Sequence, residues 1–367
     1  MFKFFFIFKL IILYLVCYSA VYSQTSLIFD PKGSGGYSIT SFDRIGERTI
    51  GGYLDTEFVA GDNKISTFKA HRLILDVSSQ ISNKILINSE IELEYAANTE
   101  YEGEIKIEQA WVDYQLTDFL TQRTGIIVMP FGRINVLHDS DVRDATQRPL
   151  YAKKIVPTTW SDVGFGFHGN SSLSFLDFNY SGYIVNGLGI HGSEVRSNFK
   201  QDNNGDKAFI GRLGISPMLG LEFGTSIYKG NYNDAANLSY LMVGGDLFYK
   251  RGRFEVVSEA AVIRSENTSS TDTALGGYLE FRMHVLQRYL REWMPSLKFP
   301  VITLFSRVGH VDLDRSGNDI TNRVMVGFNF RPTESFVYKL EYQIEDYDKA
   351  NNNSSEAAVY ASVAVGF

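Results

Sequence analysis

From Tyr338 to Glu345 the chain alternates without a break. Phe336, Tyr338, Leu340, Tyr342 and Ile344 share one parity, and Lys339, Glu341, Gln343 and Glu345 the other. A period of two is the signature of a strand whose faces meet different surroundings. The same pattern sets Ile85, Ile87, Ile91, Leu93 and Tyr95 against Lys84, Asn88, Glu90, Glu92 and Glu94. It also sets Val324, Val326, Phe328 and Phe330 against Arg323, Met325, Gly327 and Asn329. The last residues, "AAVYASVAVGF", place Val359 to Phe367 on an apolar face and Tyr360 to Gly366 on a small or weakly polar one. In "GEIKIEQAWVDYQL" the apolar phase shifts after Glu108, which marks a bulge.

The pattern predicts about sixteen strands, with no helix between them. They fall at 48–60, 66–79, 83–97, 103–117, 120–130, 161–170, 174–186 and 207–217. The series continues at 219–231, 237–250, 252–264, 273–290, 300–312, 321–331, 335–347 and 355–367. Connectors alternate between long polar loops and tight turns such as "LTDF", "GNSS", "PMLG", "KRGR" and "RPTE"; "QRYLREWMPSLKFP" is a longer exception on the short side. The eight prolines fall in connectors, at strand edges or before the first strand, as a closed ladder requires. Strands this long fit a bilayer crossing better than a soluble sandwich, whose strands average about 5–6 residues. The predicted fold is all-β: a transmembrane antiparallel β-barrel, closed by pairing the last strand with the first near Thr49 to Phe58.

The start of the chain agrees with this location. "MFKFFFIFKLIILYLVCYSAVYSQ" places Lys3 and Lys9 before an apolar run and then small residues, the order of a cleaved signal peptide over 1–23. Val16 before Cys17 disfavours a lipid anchor. Residues 24–47 are expected as an N-terminal segment on the periplasmic side and 48–367 as the barrel. Loss of Lys3 and Lys9 with the leader takes the formal net charge from −7 to −9, which argues against a nucleic-acid partner. Cys17 is the only cysteine, so the mature chain forms no disulfide. With 27 Phe and 21 Tyr the chain has the aromatics of interfacial girdles.

Motifs for other chemistry are weak. Gly164, Gly166 and Gly169 have dinucleotide-binding spacing but lie in a strand with Phe165 and Phe167, and no helix follows. Asp312, Asp314 and Ser316 resemble the start of a calcium loop, but Arg323 stands where the closing Glu belongs. Asp202, Asn204 and Asp206 are ordinary loop-tip residues. His71, His138, His168, His191, His284 and His310 show no paired metal spacing. Nothing ties His71 or His284 to a serine, so no enzyme, cofactor or metal is predicted.

The informative stretch is "MPFGRINVLHDSDVRDATQRPLYAKKIVPTTWSDVGFGFHG" after the fifth strand. Its "PFGR", "HD", "RP" and "PTTW" elements resemble the phosphate-selective porin (O/P) family and related general porins. The resemblance implies a 16-stranded, commonly trimeric porin whose third external loop folds inward as a constriction. Candidate constriction residues are Arg133, Asp139, Asp141, Arg143, Asp144, Arg148, Lys153 and Lys154, a set that is net basic. Such a set favours anions if it lines the pore; alternatively its charges pair with the loop's own aspartates and the wall glutamates. The function expected is an outer-membrane porin passing small hydrophilic solutes, with an anion or phosphate preference. The alternative is a non-conducting structural or surface-recognition barrel. Expected partners are outer-membrane lipid, the diffusing solutes or anions, and two further copies in a homotrimer.

Overall fold

The computed structural model describes residues 48–367 except 174, 190–198, 200–201, 203, 234–237, 267–270, 286, 298–299, 315–318 and 350–351. The expected leader and N-terminal segment lie outside the described residues. So do Ser316 of the calcium-like motif and His191. The strands are β1 (Arg48–Gly61), β2 (Lys64–Ser82), β3 (Ile85–Glu94), β4 (Glu104–Thr117), β5 (Leu120–Val128), β6 (Ser161–Leu173), β7 (Leu176–Val185) and β8 (Ala208–Met218). They continue as β9 (Leu221–Asn233), β10 (Leu238–Arg251), β11 (Phe254–Glu266), β12 (Thr271–His284), β13 (Val301–Asp312), β14 (Asp319–Thr333), β15 (Phe336–Lys349) and β16 (Asn352–Gly366). Each pairs antiparallel with the next, and β1 pairs with β16 from Tyr53–Gly366 to Gly61–Ala358, closing the barrel. Closure removes the free edges that would leave backbone groups unpaired in lipid.

The two faces follow the parity of the sequence. On β15, Tyr338, Leu340 and Tyr342 point outward and are exposed, whereas Lys339, Glu341 and Gln343 point inward and are buried. On β16, Val359 is outward, and Ala358, Tyr360, Ser362 and Ala364 are inward. An apolar belt outside and a charged interior invert the arrangement of a water-soluble sheet. The inversion is stable only with hydrocarbon around the barrel.

Two differences from expectation have local causes. Two short α-helices interrupt the connectors, α1 (Leu150–Lys154) within the long loop and α2 (Gln287–Trp293) between β12 and β13, and two single 3-10 turns, Tyr95–Ala97 and Thr99–Tyr101, follow β3. The strand expected at 273–290 therefore stops at His284, and Leu290 turns its side chain into a buried contact of α2. Alternation also failed to show that β1 and β2 join through only Asp62 and Asn63 at the long-loop end. The phase shift at Glu108 is a real bulge: Glu90 faces Gln109 and Ile91 faces Ile107, leaving Glu108 extra. Glu108 keeps the inward parity of Glu104 and Lys106 and is buried beside the loop described next, and the bulge shifts the outward phase to Val112 and Tyr114 after it.

Candidate functional site: a loop folded into the barrel

Residues 129–160 leave β5, cross the barrel interior and return to β6. The crossing starts at a clamp. The Asn135 amide donates to the carbonyls of Met129 (2.8 Å) and Trp160 (3.0 Å), and its Oδ1 accepts from the Trp160 N–H at 2.9 Å. One buried side chain thus ties the outgoing arm to the returning one. Next to it Gly132, at φ +65, would bring any Cβ to 2.0 Å from Glu259 Oε2, so only glycine fits. The turn aims the N–H groups of Arg133 (3.0 Å) and Ile134 (2.8 Å) at the buried Glu259 carboxylate on β11.

The loop has a dry side. Phe131, Leu150, Tyr151, Ile155, Val156 and Trp160 are buried against Ile210, Tyr228, Met242, Tyr278 and Val311 of the β8–β13 wall. The Trp160 ring lies edge-on to Tyr228 at 5.0 Å, and Tyr151 stands 6.0 Å from Tyr278. Each such side chain contributes about 1.5–3 kcal/mol when fully buried. The wall is scooped out to receive them: a Cβ on Gly276 would stand 2.7 Å from Ile155, and one on Gly244 2.8 Å from Phe131. Gly276→Val should therefore cost about 1–3 kcal/mol of loop docking by overpacking. The measurement is limited trypsin cleavage after Lys153 or Lys154 in the folded protein. Cleavage should be faster in the variant while the barrel stays intact.

The polar side of the loop is held by inward side chains of β13–β16. Glu341 on β15 accepts from the Thr146 (2.8 Å) and Gln147 (2.9 Å) N–H groups, and Thr146 Oγ1 meets Ser362 Oγ at 2.9 Å. Arg307, Arg323 and Arg331 donate to the carbonyls of Gln147 (2.8 Å), Arg148 (2.9 Å) and Asp141 (2.7 Å), and Lys339 donates to that of Ser140. On the other flank His138 faces the Asn135 carbonyl with Nδ1 and Glu108 with Nε2.

These contacts place each predicted site residue. Arg133 pairs with Glu222 at 3.0 Å and covers the Phe248 ring. Asp139 accepts from the Tyr53 hydroxyl (3.3 Å), and Asp141 is buried under the β14 wall. Asp144 accepts from Asn329 (2.9 Å) and pairs with Arg282 (3.2 Å). Arg143 is buried, and its guanidinium bonds Ser140 Oγ and the carbonyls of His138, Ala145 and Thr146. It staples the loop to itself. Arg148 spans to Thr158 O and Thr159 Oγ1. Burial, with the Arg72 and Arg143 charges nearby, lowers its guanidinium to about 10, so it remains cationic at neutral pH.

Only the last two candidates face open space. Lys153 and Lys154 are exposed at the end of α1; Lys153 donates to Gln147 Oε1 (2.5 Å), and Lys154 has no polar partner among the described residues. A cavity of ≈ 280 Å³ opens between the returning arm and the β4 wall, lined by Glu104, Lys106, Glu108, Thr159, Ser161 and Phe199. Sequence reasoning missed the wall groups Glu259, Glu341, Arg307, Arg323 and Arg331. Their inward parity was legible, but nothing linear says which of them meets the loop.

Other motif residues take ordinary roles. His284 bonds Thr303 (2.9 Å) and approaches Glu255, with no serine beside it among the described residues. His168 pairs with Asp113, His310 with Asn322, and Asp202 with Lys207.

Known proteins resemble the chain in both sequence and shape. An uncharacterized protein of Aquifex aeolicus (strain VF5) is 28% identical over 349 residues, covering 85% of this chain and 79% of that one. The anion-selective porin from Comamonas acidovorans superposes with a TM-score of 0.64 at 9% identity, covering 88% of this chain and all of that one. The trimer form of OmpT of Vibrio cholerae gives a TM-score of 0.59 at 9% identity, with the same coverage. Identities this low show the shared fold alone. The family model for phosphate-selective porin O and P matches residues 44–279, most of the barrel and the whole inward loop. The chain therefore belongs to the phosphate-selective porin O and P family, channel proteins of the bacterial outer membrane rather than enzymes.

Proposed function

We propose that the protein is a general diffusion porin that passes small hydrophilic solutes with a weak preference for anions. One observation carries this reading: among the described residues the interior guanidiniums already hold carboxylates or loop carbonyls, whereas Lys153 and Lys154 are exposed and neither is ion-paired to a carboxylate. Arg307 binds Glu280, Arg323 binds Glu345, Arg212 binds Asp246 and Glu222, and Arg123 binds Asp113. A phosphate-specific site needs planar forks free to grip two oxygens, and these forks already hold carboxylates or loop carbonyls. Two exposed ammonium groups on the loop favour anions as point charges only. The assembly proposed is a homotrimer, the form described for the Vibrio cholerae relative, and the native mass of the folded protein tests it.

In planar bilayers the folded protein should give stepwise ohmic conductance, and a salt gradient should give a small reversal potential of anionic sign. Absence of current from folded protein overturns the reading in favour of a structural barrel. Lys153→Gln with Lys154→Gln should move the reversal potential to zero or past it. Confinement in the barrel, with the Arg323 and Arg148 charges, pushes the Lys153 ammonium down to about 7, while water reaching the exposed side chain opposes the push. A lowered lysine is charged at low pH and loses its charge as pH rises. Anion preference should therefore be largest below pH 7 and decline above it, and Lys153→Gln alone should flatten that dependence.

A further inference from the structure

We propose that Asp55, Glu57 and His71, on the inner wall where β1 meets β2, form a binding site for a divalent transition-metal ion. The site goes beyond the channel reading and does not depend on it. His71 Nδ1 lies 2.8 Å from Asp55 Oδ2 and 3.3 Å from Glu57 Oε1, and one ligand atom from each residue falls within 4.8 Å of the others. Ligands around a tetrahedral ion with bonds of about 2.0–2.1 Å stand about 3.4 Å apart. Both spacings from His71 lie below that value, and the two carboxylate oxygens stand within 4.8 Å of each other, so side-chain adjustment alone lets the three groups surround one ion.

A backbone irregularity builds this arrangement. Asp55 faces Arg72 and Glu57 faces Lys69, so β2 carries one residue more than β1 between these pairs. Neighbours on a regular strand point to opposite faces, but the bulge turns His71 toward the side that Arg72 also faces. Asp55 is 1% exposed; its Oδ2 meets His71, and its Oδ1 is a buried acceptor with no hydrogen-bond partner among the described residues. Leaving such an oxygen unsatisfied is costly unless something cationic completes it.

The surrounding charges permit this. Arg72 approaches His71 Nε2 at 3.5 Å but is held by Glu92 (3.2 Å) and Glu94 (3.0 Å) on β3. Metal at Nδ1 leaves Nε2 as a donor, so that long contact opens. Lys339 and the Ser140 hydroxyl flank Asp55, and the Lys153 charge lies close enough to interact with Glu57. One imidazole with two carboxylates suits zinc and its first-row neighbours better than calcium or magnesium, which take oxygen alone. Three protein ligands leave a position for water from the lumen, making the ion exchangeable.

The test is equilibrium dialysis of the folded full-length protein against Zn²⁺, with metal analysis and no current measurement, so that failure of the channel reading leaves it intact. Wild type should retain one Zn²⁺ per chain against excess Ca²⁺. His71→Ala and Asp55→Asn should each weaken retention at least about tenfold, while His168→Ala should not. Folding of each variant is checked by its heat-dependent gel migration. X-ray absorption on the zinc-loaded wild type provides a measurement without mutation and should show one imidazole nitrogen with oxygens. Retention undiminished in His71→Ala, displacement by equimolar Ca²⁺, or a shell without imidazole would overturn the proposal.

Discussion

Replacing residues 137–157 by a short Gly-Ser turn should raise the single-channel conductance severalfold. The excision leaves Asn135 and Trp160 to close the neck, and it leaves every strand pair of the barrel untouched. It removes Leu150, Tyr151, Ile155 and Val156 from the β12–β13 side and the tip from the β14–β16 side, so the loop no longer spans the lumen. Ion selectivity should change as well. Arg307, Arg323, Arg331 and Lys339 lose the loop carbonyls and Glu341 loses its loop N–H partners, whereas Glu259 keeps those of Arg133 and Ile134. Water can resolvate all of these in an open barrel, so the protein should still fold and resist heat in detergent. Conductance equal to wild type would mean that current does not pass the loop at all.

The barrel was legible in the sequence because its two solvents differ. Lipid outside and water inside demand opposite chemistry at successive residues, and this imprints a period of two on β3, β14, β15 and β16. Even the bulge was legible, since Glu108 breaks the phase of a strand that otherwise keeps it. The bulge at His71 was not, because small and polar residues precede it and no clear phase exists there to break. The short helices escaped for a related reason. α1 spans five residues, too few for a period of 3.6 to declare itself, and its apolar residues answer to wall glycines distant in sequence.

The charged loop shows a second limit of linear reading. Its basic and acidic residues were all visible, and their net sign pointed to anions. What each charge does depends on depth, which the sequence does not encode. Arg143, central to the motif, is consumed by carbonyls of its own loop. The two lysines of α1, unremarkable in the motif, are the ones left to water. Neutralising Arg143 should thus disorder the loop instead of tuning selectivity.

Two wall carboxylates hold the loop at its ends, and removing both should do what neither removal does alone. Glu259 takes the N–H groups of Arg133 and Ile134 near the neck, supported by the Tyr278 hydroxyl at 2.7 Å. Glu341 takes those of Thr146 and Gln147 at the tip. Hydrogen bonds to a charged acceptor are worth about 1.5–3 kcal/mol each. Either alanine variant alone leaves the loop anchored by the other carboxylate and by its apolar side. Glu259→Ala and Glu341→Ala should each add brief substates to the single-channel record with the main conductance unchanged. The double variant weakens one rigid segment at both ends, leaving the Asn135 clamp and the cationic wall donors, so the effects should exceed their sum. Its main conductance should approach that of the loop-excised protein. Because the Thr146 and Gln147 amides otherwise reach only water, Glu341→Gln should restore part of the anchoring through its carbonyl oxygen, and Glu341→Leu none. Currents from the double variant that match wild type would show that packing on Gly244 and Gly276 holds the loop without the carboxylates.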